Sequence, residues 1–341
     1  TLYDEMARHF SVDEQGRIDS DFPGWGAMRD FFHGLAEGRE PADVAASVQK
    51  LLEVFVLGSV ERLLARHPVR RLGLSGGVFA NVRLNRLLAE SLPVDEVFVF
   101  PAMGDEGLPV GGALDWLLRQ DGLEHWLGRR YRLDDVYLGR DFGAQADALL
   151  GGHPGVVRLD GDPVATAVEL LAAGQAGAIY TGRMEFGPRA LGARTILASP
   201  AVREINDSLN KRLTRTEFMP FAPVVRAEDA DAVFDLPPAS RYAARFMTVT
   251  CGVKEEWRAR IPAVVHVDGT ARPQLVRRAD NPLYHDILTG FGAATGLPVL
   301  VNTSFNVHEE PIVNSPAECL RALVEDRVDF VVTPAGVYRR A

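Results

Sequence analysis

The chain has 341 residues, 47% of them hydrophobic and 24% charged, with a formal net charge of −9. That length can bury two cores, and the acidic balance makes nucleic acid or a membrane surface an unlikely general partner, since such binders are usually basic. Two cysteines, Cys251 and Cys319, form neither a disulfide framework nor a zinc site, no apolar run reaches the roughly 18 residues of a membrane helix, and a cytoplasmic setting is the default expectation.

Residues 42–67 read as one helix, because Val44, Val48, Leu51, Leu52, Phe55, Val56 and Val60 recur at helical steps. A short strand, Val69–Leu74, runs into the glycine turn Ser75-Gly76-Gly77-Val78-Phe79-Ala80-Asn81 and a helix through Leu84, Leu87 and Leu88. A second strand, Glu96–Phe100, ends at Pro101–Gly107, and a helix Gly111–Leu118 follows. Strand, glycine turn and helix, twice over, predict an α/β layer with parallel strands. Ligands gather at the carboxyl ends of such strands, where both glycine turns lie. A glycine-studded stretch then places a domain boundary near residue 145. The second half opens with a strand, Val156–Leu159, and a helix, Asp162–Ala173. Strands are expected at Ala222–Val225, Phe246–Cys251, Ala263–Val267 and Val299–Val301, with a helix at Leu283–Gly292. A helix, Ala317–Glu325, and strands Phe330–Val332 and Gly336–Tyr338 close the chain.

Six segments carry side chains that chemistry could use. The run from Gly182 to Thr195 follows the apolar Ala176–Tyr180 and holds Arg183, Glu185, Arg189 and Arg194 among glycines. Arginine forks match phosphate or carboxylate, and glycines let backbone approach a ligand; a salt-bridged surface loop is the bland alternative. Gly76 and Gly77 could present backbone N–H groups to a phosphate, or could simply turn the chain. Asp105 could ligate a metal, or cap the next helix. Lys211, Arg212 and Arg215 precede the apolar Phe218–Pro223 and fit a pocket wall better than open surface. His266-Val267-Asp268-Gly269 has the wording of a turn, and Asn302-Thr303-Ser304-Phe305-Asn306 could either hold sugar and phosphate oxygens or cap a turn.

Taken in order, these runs resemble one family closely. Ser75–Asn81, Gly104–Gly107, Gly182–Arg194, Arg215–Pro223, His266–Arg272 and Asn302–Val313 are together similar to the NodU/CmcH O-carbamoyltransferases, and the resemblance covers nearly the whole chain. It implies a partial actin-like α/β domain over residues 1–145 and a YrdC-like α/β domain over residues 146–341. The second domain would make carbamoyl adenylate from ATP, with Mg2+, and carbamoyl phosphate. The first would pass the carbamoyl group to a hydroxyl of a small natural product, assisted by Fe2+ or a similar ion. The resemblance implies catalytic roles for Arg189, Lys211 and His266. It implies ligand binding by Arg183, Glu185, Arg194, Arg215, Arg272, Asn302, Ser304 and Asn306, contact with the adenylate by Gly76, Gly77 and Asn81, and metal ligation by Asp105. The family's His-x-x-x-His metal pair has no counterpart in this sequence. The metal site is therefore expected to be incomplete: either the amino-terminal half is missing, or it belongs to a separate subunit, or this member works without the pair. A threonylcarbamoyl-adenylate enzyme serving tRNA and a nucleotide-binding regulatory subunit stand as alternatives.

Overall fold

A computed structural model describes residues 1–128, 132–214 and 220–341. Two short strands, β1 (Phe10–Val12) and β2 (Ile18–Ser20), form an antiparallel hairpin against the long helix Pro41–Arg66. Pro41 stands in the first turn of that helix, where a missing N–H costs nothing. The expected pair of strands forms as β3 (Arg71–Leu74) and β4 (Glu96–Val99), and they are parallel, as the glycine-turn pattern predicts. The helix Val82–Ser91 connects them, its amino end capped by the Asn81 side chain. Leu74, Leu84, Leu88, Val97, Val99 and Met103 make a common core. Each fully buried side chain of this kind contributes about 1.5–3 kcal/mol.

The second half is organised by one eight-stranded sheet. Its strands are β5 (Val156–Leu159), β6 (Gly177–Tyr180), β7 (Arg194–Ala198), β8 (Ala222–Arg226), β12 (Gln274–Val276), β13 (Val299–Ser304), β14 (Phe330–Thr333) and β15 (Gly336–Arg340). Three short strands, β9 (Phe234–Asp235), β10 (Cys251–Val253) and β11 (Thr270–Ala271), make a separate antiparallel sheet. The large sheet runs β12-β8-β13-β7-β6-β14-β15-β5, with β12/β8 and β14/β6 parallel and the remaining pairs antiparallel. Its centre is buried along its length: every residue of β6, β7 and β14 is enclosed. Helices Pro163–Ala172 and Pro282–Thr295 pack together in this core, to which Ala146 and Leu150 of the helix Gln145–Gly152 also belong. Gly177 is glycine for room: a Cβ there would stand 2.1 Å from the Phe330 ring.

Two expected strands are corrected. Over Phe246–Cys251 the chain leaves the helix Arg241–Ala244 through a turn, and only Cys251 enters a strand. Over Ala263–Val267, Pro262 starts a one-turn 3-10 helix, Pro262–Val264. Both segments are apolar because they are buried, and burial alone does not choose strand over turn.

The two halves are tied by polar contacts at helix Val82–Ser91. The Asn85 amide is fully buried and donates to the carbonyls of Phe79 and Thr248, each at 2.8 Å. The Thr250 N–H donates to the Val82 carbonyl at 3.3 Å. Phe98 of β4 stacks on Tyr242 with ring centres 4.9 Å apart. Among the described residues, no helix is long and apolar enough to cross a membrane.

Candidate functional site

The loop between β6 and β7 is held in shape from within. One oxygen of the buried Glu185 carboxylate accepts the N–H groups of Leu191, Ala193 and Arg194 at 2.8, 2.6 and 3.2 Å. Gly187 and Gly192 take φ values of +122° and +114°, which other residues rarely adopt. A Cβ on Gly192 would also collide with the Tyr284 ring at 2.2 Å. Outside the loop, the Tyr137 hydroxyl donates to the Leu191 carbonyl at 2.8 Å. Burial, and then the Glu185 charge, push the Tyr137 phenol far above its ordinary pKa, so it stays a donor.

This framework divides the expected ligand-binding residues. Arg194 is fully buried and turned into the protein. Its guanidinium donates to the carbonyls of Thr181 at 2.7 Å, Ala193 at 2.9 Å and Gly182 at 3.2 Å, and lies 3.8 Å from the Tyr180 ring centre. It holds the loop against the sheet and has little left for an anion. Glu185 likewise organises backbone. Arg183 is exposed on the loop, and Lys211 is exposed in the last turn of the helix Glu204–Arg212. Arg215 lies outside the described residues.

Arg189 is placed differently. It lines a cleft of about 550 Å³ with His266, Arg272, Asn302, Ser304 and Asn306. Six of the expected side chains thus converge from four segments: the β6–β7 loop, the turn before β11, the segment joining β11 to β12, and the end of β13. Val82, from the first half, also lines the cleft. The Arg189 Nε is buried without a hydrogen-bond partner, and burial lowers the guanidinium pKa. No carboxylate pairs with Arg189 among the described residues. A buried cation without a counter-ion is costly unless a ligand supplies the charge.

His266 has a defined proton. Its Nδ1 lies 2.9 Å from the Thr270 hydroxyl, which itself donates to Asp268 at 2.7 Å. The hydroxyl proton is therefore used, so Nδ1–H donates to Thr270 and the lone pair resides on Nε2. Burial holds the His266 pKa below the ordinary 6.5, outweighing the pull of Asp268, and Arg272 pushes the same way as burial. Burial works against the Asp268 carboxylate, yet Thr270, His266 and Arg83 together keep its pKa below the usual value. The result is a neutral imidazole beside two cations, suited to accepting a proton.

Met247, in the cleft wall, and Gln274, which bonds to Asn302 from outside that wall, carry no obvious sequence signal. Met247 has φ of +56°, a strained conformation worth about 1 kcal/mol for a non-glycine residue. Its sulfur accepts from the Asn302 amide at 3.3 Å. Gln274 is buried in β12, accepts from the same amide at 2.7 Å, and donates to the Leu191 carbonyl at 2.7 Å. It links β13 to the loop that carries Arg189.

In the first half, Gly76 has φ of +109° and donates its N–H to the Met103 carbonyl at 3.0 Å. That bond brings the two glycine turns together. Asn81 serves as a helix cap: its Oδ1 accepts from the Leu84 N–H at 3.0 Å and its amide donates to Gln49 at 2.7 Å. Asp105 is exposed in the one-turn helix Asp105–Gly107. Among the described residues, no three His, Cys, Asp or Glu side chains gather to hold a metal. One carboxylate does not make an iron centre.

Comparison with known proteins fits the geometry. The family model described as "Carbamoyltransferase C-terminus" matches residues 168–340, and "Carbamoyltransferase N-terminus" matches residues 26–114. Nodulation protein NolO of Bradyrhizobium diazoefficiens is 38% identical over 317 residues, covering 90% of this chain and 56% of its own. Protein MJ1058 of Methanocaldococcus jannaschii is 33% identical over 307 residues, covering 87% of this chain and 49% of its own. The chain thus spans about half the length of the curated relatives it matches. Among solved structures, T. kodakarensis HypF aligns over 52% of this chain and 22% of its own, at 19% identity and a TM-score of 0.38.

Proposed function

Since this chain belongs to the carbamoyltransferase family, we propose that its Arg189 cleft makes carbamoyl adenylate from ATP and carbamoyl phosphate, for transfer to a hydroxyl of a small molecule. The observation that carries the reading is Arg189, its Nε buried and no described carboxylate paired with it, lining one cleft with Arg272 and His266. Both substrates are polyanions, and their approach requires fixed positive charge in a partly dry site.

In this reading carbamoyl phosphate loses its phosphoryl group to water and leaves carbamate. A carbamate oxygen attacks the α-phosphorus, the bond from that phosphorus to its bridging oxygen breaks, and pyrophosphate departs. Arg189 and Arg272 hold the phosphate oxygens and oppose the charge that builds on them. His266 Nε2 takes the proton of the attacking water. Ser304 and Asn306 orient the nucleotide from the end of β13. Mg2+ would enter with the nucleotide and screen its phosphates. Lys211, Arg183 and Arg215 are assigned to the outer phosphates, and Gly76 and Gly77 to the adenylate when it reaches the first half. The residues present do not fit an iron site, and no step is routed through one. A hydroxyl would then attack the carbamoyl carbon, and AMP would leave.

Pyrophosphate release is the test. The protein should release it only when ATP and carbamoyl phosphate are both present. Release from ATP alone, or none from the pair, would remove the reading.

A further inference from the structure

Two orphaned groups of opposite character share the cleft. One is the Arg189 guanidinium, a donor and a cation with its Nε buried and unpartnered. The other is the Asn302 carbonyl. Asn302 is 1% exposed and lines the same cleft. Its amide nitrogen is surrounded by acceptors: the Ala190 carbonyl at 3.0 Å, Gln274 Oε1 at 2.7 Å and Met247 Sδ at 3.3 Å. Those contacts fix which end of the side chain is nitrogen, because no carbonyl oxygen would face three acceptors. The nitrogen has no N–H left for a ligand. The oxygen, Oδ1, is buried and accepts nothing. Asn302 therefore cannot donate to a nucleotide oxygen. What it can offer is one acceptor.

The two orphans are neighbours in the chain's geometry, since Asn302 holds the carbonyl of Ala190, the residue after Arg189. A ligand satisfying both carries anionic oxygens and an N–H donor in one molecule. We infer that Asn302 Oδ1 reads the NH2 of the carbamoyl group while Arg189 holds the phosphate or carboxylate end of the same molecule. The inference rests on the proposed use of carbamoyl phosphate and gives it a basis for selection. Acetyl phosphate has the same size and charge but ends in a methyl group. It would satisfy Arg189 and leave Oδ1 buried and unpaired. Sites built around a hydrogen-bonding group reject the analogue that lacks it far more strongly than sites built on shape.

The strained Met247 and the buried Gln274 acquire a purpose here. Both draw the amide nitrogen away, and so commit the oxygen to the ligand. The adenine amino group of ATP is the other source of an N–H donor beside anionic oxygens, and inosine triphosphate, which lacks that amine, separates the two.

Titration calorimetry on the intact chain tests this. Carbamoyl phosphate should bind about tenfold or more tightly than acetyl phosphate, while ATP and inosine triphosphate bind alike. Asn302→Leu should bring the ratio of carbamoyl phosphate to acetyl phosphate affinity to about one, whatever it does to the affinity of either. Equal binding of the two acyl phosphates by the unaltered protein overturns the inference but not the proposed function. A preference for ATP over inosine triphosphate lost in Asn302→Leu reassigns Oδ1 to adenine and also overturns it. No binding of carbamoyl phosphate at all overturns both. The comparison of ligands on the unaltered protein decides the matter even if the variant does not fold.

Discussion

Arg189 and Arg194 stand five positions apart in one loop, yet the fold gives them opposite tasks. Arg194 meets backbone carbonyls and an aromatic face inside the protein, whereas Arg189 meets no carboxylate among the described residues and lines the cleft. Removing a buried, uncompensated charge should not destabilise the protein. Arg189→Ala is therefore expected to lower pyrophosphate release by about a hundredfold with thermal stability unchanged or slightly raised, the loss being that of charged hydrogen bonds to substrate. A drop in both would make Arg189 a structural residue. His266 yields a pH prediction with a definite sign. Its folded pKa is lowered by burial, first, from an ordinary value of 6.5. The folded state thus resists protonation that the unfolded chain accepts. Its contribution to stability is complete above pH 6.5, falls as the pH drops below that value, and levels off below the folded pKa. The acid limb of activity should accordingly lie below pH 6.5, and Thr270→Val, which removes the Nδ1 partner, should move it. A limb unchanged in Thr270→Val would show that His266 does not set it. Residue types were legible in the sequence at this scale, but their orientation was not. Nothing in the run Gly182–Thr195 says which arginine turns inward, because that depends on carbonyls of residues distant in sequence, such as Asn314.

The β6–β7 loop shows how one carboxylate can set the shape of an element. Three backbone N–H groups converge on one Glu185 oxygen. Glu185→Ala would strand them in a buried setting, at about 1–3 kcal/mol each before relaxation. Its expected result is a loop that exchanges amide protons quickly at Leu191 and Ala193, with activity lost. Protection equal to the unaltered protein would contradict that role. Gly177→Ala tests the sheet in the same manner: the added methyl meets the Phe330 ring, and overpacking of this kind costs about 1–3 kcal/mol, read as a lower denaturation midpoint. Helical spacing in residues 42–67 anticipated Pro41–Arg66 closely, since Leu51 and Val60 of the apolar stripe are buried and Val44, Leu52, Phe55 and Val56 partly so, although Val48 stays exposed. The strand read over Phe246–Cys251 was misplaced for a physical reason. That stretch is enclosed on all sides, so its hydrophobicity carries no period, and the left-handed turn falls on Met247, a residue type that does not signal one. The Asn302–Asn306 run was legible as polar groups at a strand end; that its first amide would be consumed by Gln274 and Ala190 was not.

At the scale of the molecule, the helix Val82–Ser91 that connects the parallel β3–β4 pair meets the Thr248–Thr250 segment of the second half, and the Arg189 cleft opens beside that seam, with Val82 in its wall. Asn85 bonds across the seam to Thr248, next to the strained Met247. Asn85→Ala leaves two buried carbonyls with one partner fewer, so about 1–3 kcal/mol should be lost. Limited proteolysis should then separate the halves more readily; an unchanged cleavage pattern would mean that the seam is held by apolar contacts alone. Alternating strands and glycine turns foretold an α/β fold, and family-specific runs foretold the carbamoyltransferase family, because both are local in sequence. The strand order of the large sheet was not foretold, since antiparallel β7 and β13 are joined by about a hundred residues and no local signal spans that gap. Exchange of labelled pyrophosphate into ATP tests the central claim most directly, because it reports reversible attack on the α-phosphorus whether or not a hydroxyl acceptor is present. The account predicts exchange that depends on carbamoyl phosphate and disappears in Arg189→Ala. Exchange that proceeds without carbamoyl phosphate, or persists in Arg189→Ala, would contradict it.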